Sequence, residues 1–162
     1  MLLLNKDEIK KVFSMHDAIE ADKECYRAFS EGKFDVPLRA VINGSNGNFL
    51  FMPAYSEEMK AAGLKIVNIM PGNPAKGLPA SIGQVLLIDG ETGIVKAMMD
   101  GTYITALRTA AASGAAFDLF GLENASTGAM IGTGSQAMCQ LEAMLSGRKL
   151  KEVMTGEREM ME

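Results

Sequence analysis

The chain has 162 residues, of which 48% are hydrophobic and 22% are charged, with a net charge of −4. This composition excludes a disordered chain and leaves room for one domain, or for one domain and part of a second. The acidic balance without a Lys/Arg cluster argues against a nucleic-acid partner. A single His and two distant cysteines, Cys25 and Cys139, argue against a metal site. We expect two buried, reduced thiols in a cytoplasmic protein.

The first 31 residues predict a short strand and two helices. The apolar start is too short for a signal peptide or a spanning helix, so no membrane partner is expected. Asn5 with Glu8 has the spacing of a capping box, and Ser14 with Asp17 repeats it. The predicted elements are a strand at Leu2–Leu4 and helices over 6–13 and 15–31. The apolar stripe of the second helix comprises Met15, Ala18, Ile19, Cys25, Tyr26 and Phe29.

Residues 36–100 change to the two-residue period of strands. Turn-forming separators rich in Gly, Pro, Asn and Asp divide five β-rich runs. The runs read "LRAVI", "NFLFMPA", "LKIVNIM", "SIGQVLLID" and "IVKAMM". They predict an antiparallel or mixed sheet that packs against the two N-terminal helices, which is an α+β arrangement.

Residues 101–121 predict a long Ala-rich helix, in which Ala106, Ala110 and Gly114 form a small face suited to close backbone approach. A buried strand, "TGAMIG", a helix over 135–145 and a further strand at Val153 follow. The fold class is therefore α/β: an N-terminal α+β domain followed by the first βα unit of a Rossmann-type domain. The predicted parts are a first domain over 1–122, the start of a dinucleotide-binding domain over 123–153 and a charged tail over 154–162.

A glycine-rich turn, "IGTGSQA", joins the last predicted strand to the last helix. Gly132 and Gly134 fit the first two glycine positions of a pyrophosphate-binding turn, and Ala137 fits the third, which accepts Ala. A plain tight turn is the alternative. The acid that should bind the ribose, about 20 residues further on, would fall near Met154, where no strand-end acid is recognisable.

Three basic residues stand alone among apolar or small neighbours. Arg39 and Lys65 lie in β-rich runs, and Arg108 lies within the Ala-rich helix. Three converging cations would form a clamp for a carboxylate, with arginine providing bidentate geometry. The alternative is three edge charges with long side-chain stems that reach water.

Several segments together resemble, in order, the ornithine cyclodeaminase/mu-crystallin family. They are "FMPAYS", "GLKIVN", "GLPASIGQVLLIDGETG", "AMMDGTYITALRTAAASGAA" and "IGTGSQAMCQLEAM". The resemblance covers residues 2 to about 153. It implies an NAD- or NADP-dependent enzyme acting by hydride transfer at the α-carbon of an amino acid, keto acid or cyclic imine. Such oxidoreductases and lyases of amino-acid metabolism deaminate the substrate or reduce a ketimine.

The resemblance also implies roles for individual residues. Arg39, Lys65 and Arg108 match the basic residues around the substrate carboxylate, with Lys65 and Arg108 also catalytic, and Met52 matches a substrate contact. The residues that match cofactor-binding positions are Thr109, Gly132, Gly134, Ser135, Gln136 and Ala137.

Three departures from the family pattern affect function. Leu50 replaces a glutamate that holds a distal amine, which favours an apolar side chain or a ketimine over a diamine. Ala80 replaces a hydroxyl residue near the nicotinamide, although Ser81 is adjacent. The family pattern continues beyond residue 162, so we expect a truncated chain that lacks the ribose-binding part. The alternative function is a non-catalytic module of mu-crystallin type that binds a carboxylate ligand or forms a homodimer.

Overall fold

The computed structural model describes residues 1–156; residues 157–162, which form most of the predicted charged tail, lie outside the described residues. Within the described part, the strands are β1 (Leu2–Leu4), β2 (Ala40–Gly44), β3 (Gly47–Ser56), β4 (Ala61–Ile69), β5 (Ser81–Asp89), β6 (Val95–Asp100), β7 (Thr127–Ile131) and β8 (Glu152–Gly156). The helices are α1 (Lys6–Val12), α2 (Met15–Ser30), α3 (Gly101–Phe120) and α4 (Ala137–Gly147).

The chain divides into two compact units. The first contains Met1–Lys11 and Arg27–Thr105, and the second contains Val12–Tyr26 and the described residues from Ala106 onward. The predicted boundary between residues 122 and 123 divides the chain by function, and it stays a prediction.

The first unit contains a six-stranded sheet in the order β1-β6-β5-β4-β3-β2. Neighbouring strands from β2 to β6 pair antiparallel, and β1 adds to β6 in parallel. The five predicted strands are therefore confirmed, and of the two predicted alternatives, an antiparallel or a mixed sheet, the sheet is mixed because the N-terminal strand joins it in parallel. Its packing against the two N-terminal helices stays a prediction.

The register of the first unit's sheet gives it two faces. Because successive side chains alternate between faces, the cross-strand pairs fix which residues lie together. The Lys65 face includes Leu50, Met52, Lys65, Val67 and Val85. The opposite Phe51 face includes Phe49, Phe51, Leu64, Ile66, Ile82 and Leu86. On the Lys65 face, Leu50 and Val67 are buried, with 9% and 8% of their surface exposed.

Helix capping and close packing hold α1 and the start of α3 in the first unit. The Asn5–Glu8 capping box is confirmed: Asn5 Oδ1 accepts from the Glu8 amide at 3.0 Å, and Glu8 Oε2 accepts from the Asn5 amide at 2.8 Å. At the start of α3, Asp100 Oδ1 accepts the Tyr103 amide at 3.0 Å. Gly101 lies so close to β5 that a Cβ there would meet the backbone nitrogen of Gln84 at 2.5 Å.

The second unit is organised around small residues on α3. Ala110 is fully buried, and a Cβ on Gly114 would lie 2.7 Å from Ile19 Cδ1 of α2 and 3.3 Å from Ala143 Cβ of α4. The predicted close approach at Gly114 is therefore confirmed, because glycine alone leaves room for both neighbouring helices. The Ser14–Asp17 capping box is also confirmed, with the Ser14 amide donating to Asp17 Oδ2 at 2.9 Å.

The predicted apolar stripe of α2 is buried only in its N-terminal half. Met15, Ala18 and Ile19 are buried, whereas Tyr26 is 59% exposed. Phe29 is 56% exposed and Cys25 is exposed. The prediction of two buried thiols is therefore wrong for Cys25, and Cys139 is only half-buried. A periodic pattern identifies the apolar side of a helix, but it does not tell how much of that side meets a neighbour.

The second unit also contains a parallel β-α-β element. Strand β7 pairs in parallel with β8, and α4 lies between them in the chain. The strand predicted at Val153 is confirmed. The tail predicted from residue 154 starts too early, because Met154, Thr155 and Gly156 pair with residues 129, 130 and 131. Among residues 1–156, no helix is both long and apolar enough to cross a membrane.

Candidate functional site

Lys65 lies in the middle of the first unit's sheet. Its strand, β4, pairs on both sides, and Lys65 is opposite Met52 of β3 and Val85 of β5. The side chain is half-buried, with apolar residues on either side in the same row. Such a setting holds the aliphatic stem and leaves the ammonium group at the sheet surface.

Arg39 comes to the same region of the sheet. It directly precedes β2, whose first residue, Ala40, pairs with Phe51. The ladder begins at Ala40, and the preceding Asp35–Tyr55 bridge is offset from it by one residue, so the register does not extend through Arg39. Arg39 is exposed. Met52 and Lys65 therefore form one row on the Lys65 face, and Arg39 lies beside the start of β2.

Leu50 lies two residues before Met52 on the same face. It pairs with Val41 of β2 and Val67 of β4, so the position where the family pattern has a glutamate is surrounded by apolar side chains. With 9% exposure, Leu50 belongs to the packed part of this face. This end of the row offers an apolar surface and no carboxylate partner for a distal amine.

Arg108 and Thr109 lie on α3 in the second unit. Arg108 is exposed and Thr109 is half-buried. The predicted clamp thus draws on both units, and the convergence of its three cations stays a prediction. Asp22, a half-buried residue of α2, is an electrostatic neighbour that sequence reasoning did not assign to the site. Burial raises the pKa of the Asp22 carboxyl, and the positive charge of Arg108 partly offsets that rise.

The glycine turn begins where β7 ends. Gly132 has a φ of +96°, in the region that favours glycine, and its amide donates to the Gly156 carbonyl oxygen of β8 at 2.7 Å. The Ala137 amide donates to the Gly134 carbonyl oxygen at 2.9 Å, which closes the turn before α4. The prediction that α4 starts at Ser135 is two residues early, because Gln136 is its N-cap residue.

An open groove lies over this turn. It has a volume of about 380 Å³ and is lined by Met130, Ile131, Gly132, Gly134, Ser135, Gln136, Ala137 and Gln140. The structure thus brings together five of the six predicted cofactor-binding residues, all except Thr109. Side chains of Ser135 and Gln136 supply hydrogen-bonding groups, and no charged residue is among the described lining residues.

The turn fits a phosphate group. Within the described part of the chain, a Cβ added at Gly132 or Gly134 would meet no atom within 4 Å. Gln136 makes no side-chain capping hydrogen bond to the described residues of α4. The start of a helix carries amides without intrahelical partners and a partial positive charge. Open space beside two glycines at such an end is the arrangement that binds phosphates in dinucleotide folds.

The ribose-binding acid expected from the sequence is not found among the described residues. Sequence spacing pointed near Met154, which lies inside β8. β8 is described as far as Gly156, and the next residue, Glu157, lies outside the described residues.

Comparisons with known proteins identify the family. The profile of the ornithine cyclodeaminase/mu-crystallin family matches residues 1–160. An alanine dehydrogenase from Archaeoglobus fulgidus is 41% identical over 143 residues, which cover 88% of this chain and 44% of the relative. The solved structure of an archaeal alanine dehydrogenase dimer with bound NAD has a TM-score of 0.89 and 39% identity, covering 99% of this chain and 50% of that one.

A second solved structure is that of the Thermococcus litoralis Δ(1)-pyrroline-2-carboxylate reductase in complex with NADH and L-proline. It has a TM-score of 0.90 and 38% identity, covering 98% of this chain and 50% of that chain. The chain spans about half the length of these relatives.

Proposed function

The chain belongs to the ornithine cyclodeaminase/mu-crystallin family, as its motifs predicted, and we propose that it supplies half of a cytoplasmic NAD(P)-dependent enzyme of amino-acid metabolism. Residues 1–122 serve in substrate binding and dimerisation, and residues 123–153 begin the nucleotide-binding part. The substrate is a small amino acid, its keto acid or a cyclic imine.

Support for cofactor binding comes from the glycine turn, and this single observation carries the proposal. The turn has a left-handed glycine at 132, open space at 134 and an N-cap residue, Gln136, whose side chain makes no capping hydrogen bond. A helix start of this kind favours an anion such as a pyrophosphate. Solved relatives bind NAD or NADH, which supports the same class of ligand here.

Support for a carboxylate substrate comes from the basic residues. Lys65 lies on the Lys65 face opposite Met52, Arg39 directly precedes β2 of the same sheet, and Arg108 provides the third cation of the proposed clamp. The Thermococcus litoralis relative binds L-proline, which carries a carboxylate beside its α-carbon. The apolar surroundings of Leu50 favour a substrate with an apolar side chain or a cyclic imine over a diamine.

The proposed mechanism depends on how the substrate is held. A nicotinamide cofactor bound at the turn would supply hydride transfer to or from the substrate α-carbon. Lys65 and Arg108 bind the substrate carboxylate, with Arg39 as the third cation, and so orient the α-carbon. Holding the reacting groups in one geometry lowers the barrier through proximity. Met52, opposite Lys65, contacts the bound substrate, and Thr109 contributes to the cofactor side.

An NMR titration of the ¹⁵N-labelled chain with NADH tests the cofactor site. We expect shifts at the amides of Gly132, Gly134 and Gln136. The Kd should be no tighter than about 1 mM, or about 4 kcal/mol, because one β-α-β element gives the adenosine little surface. The Gly134→Asp variant sets a carboxylate in the groove and should abolish these shifts. The control Gly72→Asp, at a glycine whose Cβ would also meet no described atom within 4 Å, should leave them unchanged.

The same titration with pyruvate or L-alanine tests the substrate row. Shifts around Lys65 that disappear in Lys65→Met, but persist in a variant of the exposed Lys76, Lys76→Met, are expected. NADH-induced shifts that survive Gly134→Asp would contradict the cofactor site. Shifts induced by pyruvate or L-alanine that Lys65→Met leaves intact would contradict the substrate site.

The Phe51 face favours a second role, homodimerisation. The six apolar side chains named above are half-buried rather than buried, so the single chain leaves part of an apolar surface open to water. The solved archaeal alanine dehydrogenase is a dimer, which supports the pairing of two copies. Sedimentation velocity should detect a dimer that Phe51→Glu dissociates. A wild-type chain that stays monomeric at tens of micromolar concentration would contradict dimerisation. The carboxylate-binding role would then stand alone.

A further inference from the structure

Arg148 forms a dense set of contacts at the end of α4. It is the C-cap residue of this helix, and only 9% of its side chain is exposed. Among the described residues, its guanidinium donates to one carboxylate oxygen and five carbonyl oxygens. The acceptors are Asp118 Oδ1 at 2.9 Å and the carbonyl oxygens of Gly147 at 2.7 Å, Leu122 at 3.0 Å, Asp118 and Gly121 at 3.1 Å, and Phe117 at 3.3 Å.

These bonds fasten α4 to the end of α3. The last carbonyls of a helix lack intrahelical partners, and Arg148 donates to that of Asp118. It is also a second donor to the Phe117 carbonyl, which accepts the Gly121 amide at 2.8 Å. Its planar guanidinium group can donate to several acceptors at once. The guanidinium carbon, Cζ, also lies over the Phe117 ring, 5.3 Å from the ring centre. Lysine has a single ammonium group with three donors, so it could reach only some of these oxygen acceptors.

A second attachment lies near the middle of α4. Ala143 is 1% exposed, and the Cβ that Gly114 lacks would lie 3.3 Å from the Ala143 methyl group. One point of contact leaves a helix free to tilt, whereas two points along its length fix its direction. The eleven residues of α4 span about 16 Å, so a small tilt at Arg148 displaces the opposite end.

The opposite end of α4 is the glycine turn. The side chain of the N-cap residue Gln136 makes no capping hydrogen bond there, and the direction of the helix determines where its first amides point. We propose that Arg148 is a positioning residue that fixes the direction of α4 and thereby aligns the turn at Gly132–Ala137 for a pyrophosphate. Its part in nucleotide binding rests on the proposed function of the turn.

Amide hydrogen exchange and NADH titration of three variants test this role. Arg148→Lys keeps the positive charge beside Asp118 but loses the planar guanidinium group, and Arg148→Ala removes both. Lys149→Ala, at the exposed neighbouring residue, is the control. In Arg148→Lys we expect exchange at residues 137–140 to accelerate about tenfold, while the β3–β5 and β7–β8 ladders keep their wild-type rates. NADH-induced shifts at the turn should require about tenfold more ligand, and Lys149→Ala should match the wild type.

The outcomes separate positioning from general stabilisation. Equal acceleration across the whole second unit in Arg148→Lys would assign Arg148 to stability alone and overturn the proposal. Unchanged exchange at residues 137–140 would also overturn it. If NADH produces no shift in the wild type, the cofactor proposal fails, while the exchange pattern still decides whether Arg148 aligns the turn. If Arg148→Ala does not fold, Arg148→Lys carries the test.

Discussion

The two compact units hold their candidate site residues in different ways. Lys65 lies in β4, which is bonded to a strand on each side, and its row neighbours Met52 and Val85 are set by the ladder. The glycine turn lies at the end of a two-stranded sheet, and open space surrounds Gly134 within the described chain. The first site is built into a sheet, and the second is presented at the end of a helix.

This difference bears on how each site tolerates change. Backbone hydrogen bonds in a central strand open only with large parts of a sheet, whereas loops open locally at lower free energy. The substrate row should therefore keep its geometry without ligand. The turn depends on the elements that carry it, among them Gly132, α4 and Arg148, and it should tighten when an anion binds.

The largest contrast is expected between two glycine variants. A Cβ at Gly101 would lie 2.5–2.7 Å from the backbone of Gly83 and Gln84, so Gly101→Ala must displace β5 or the start of α3. We expect the free energy of unfolding of the first unit to fall by about 3 kcal/mol. This loss corresponds to roughly 6–12 °C in Tm for a chain of this size. Gly134→Ala, where the added methyl group would meet open space, should change the free energy of unfolding by no more than about 0.5 kcal/mol.

Thermal unfolding followed by hydrogen exchange checks both variants. In Gly101→Ala, the β4–β5 amides should lose protection first. Equal destabilisation by the two variants would remove the distinction between a packed and an open glycine, and with it the basis for placing a phosphate at Gly134.

Features that depend on a few neighbouring residues were predictable from sequence. The capping boxes at Asn5 and Ser14 form because their partners lie three residues away. The turn at Gly132 was predictable because glycine is favoured at a positive φ, which the structure has there. Gly114 was predicted correctly because glycine destabilises a helix interior relative to alanine, so a glycine inside an Ala-rich helix indicates close packing at that position.

Features that depend on distant residues were not predictable. Arg148 bonds to acceptors 26 to 31 residues earlier in the chain, and nothing in the local sequence "GRKLK" separates it from an exposed linker charge. The pairing of Met52 with Lys65 depends on strand register, which alternation alone leaves open. The exposure of Tyr26 and the continuation of β8 to Gly156 depend on packing partners that a periodic pattern does not identify.

The smallest expected effect concerns Asp118, which links α3 to both other helices of the second unit. Its carboxylate accepts from Lys23 Nζ of α2 at 2.6 Å and from Arg148 Nη1 at 2.9 Å. The Lys23 hydrogen bond and then the Arg148 bond hold the pKa of Asp118 below its ordinary value of 3.8. The side chain is 39% exposed, so solvent screening limits the contribution to about 1 kcal/mol or less.

The sign of the pH dependence follows from that lowered pKa. A carboxyl with a lower pKa in the folded state stabilises the fold above its unfolded value, 3.8, and loses this contribution as the pH falls through the folded value. The Tm of Asp118→Asn should therefore lie below that of the wild type at pH 6, and the gap should narrow below pH 3.8. Asp89, whose lowered pKa depends first on Lys96 in the first unit, gives the matched variant Asp89→Asn. If Asp118→Asn weakens protection in α3 and α4 while Asp89→Asn leaves those helices unchanged, the second unit depends on its own charge network. A pH-independent gap for Asp118→Asn would instead assign its effect to lost hydrogen bonds alone.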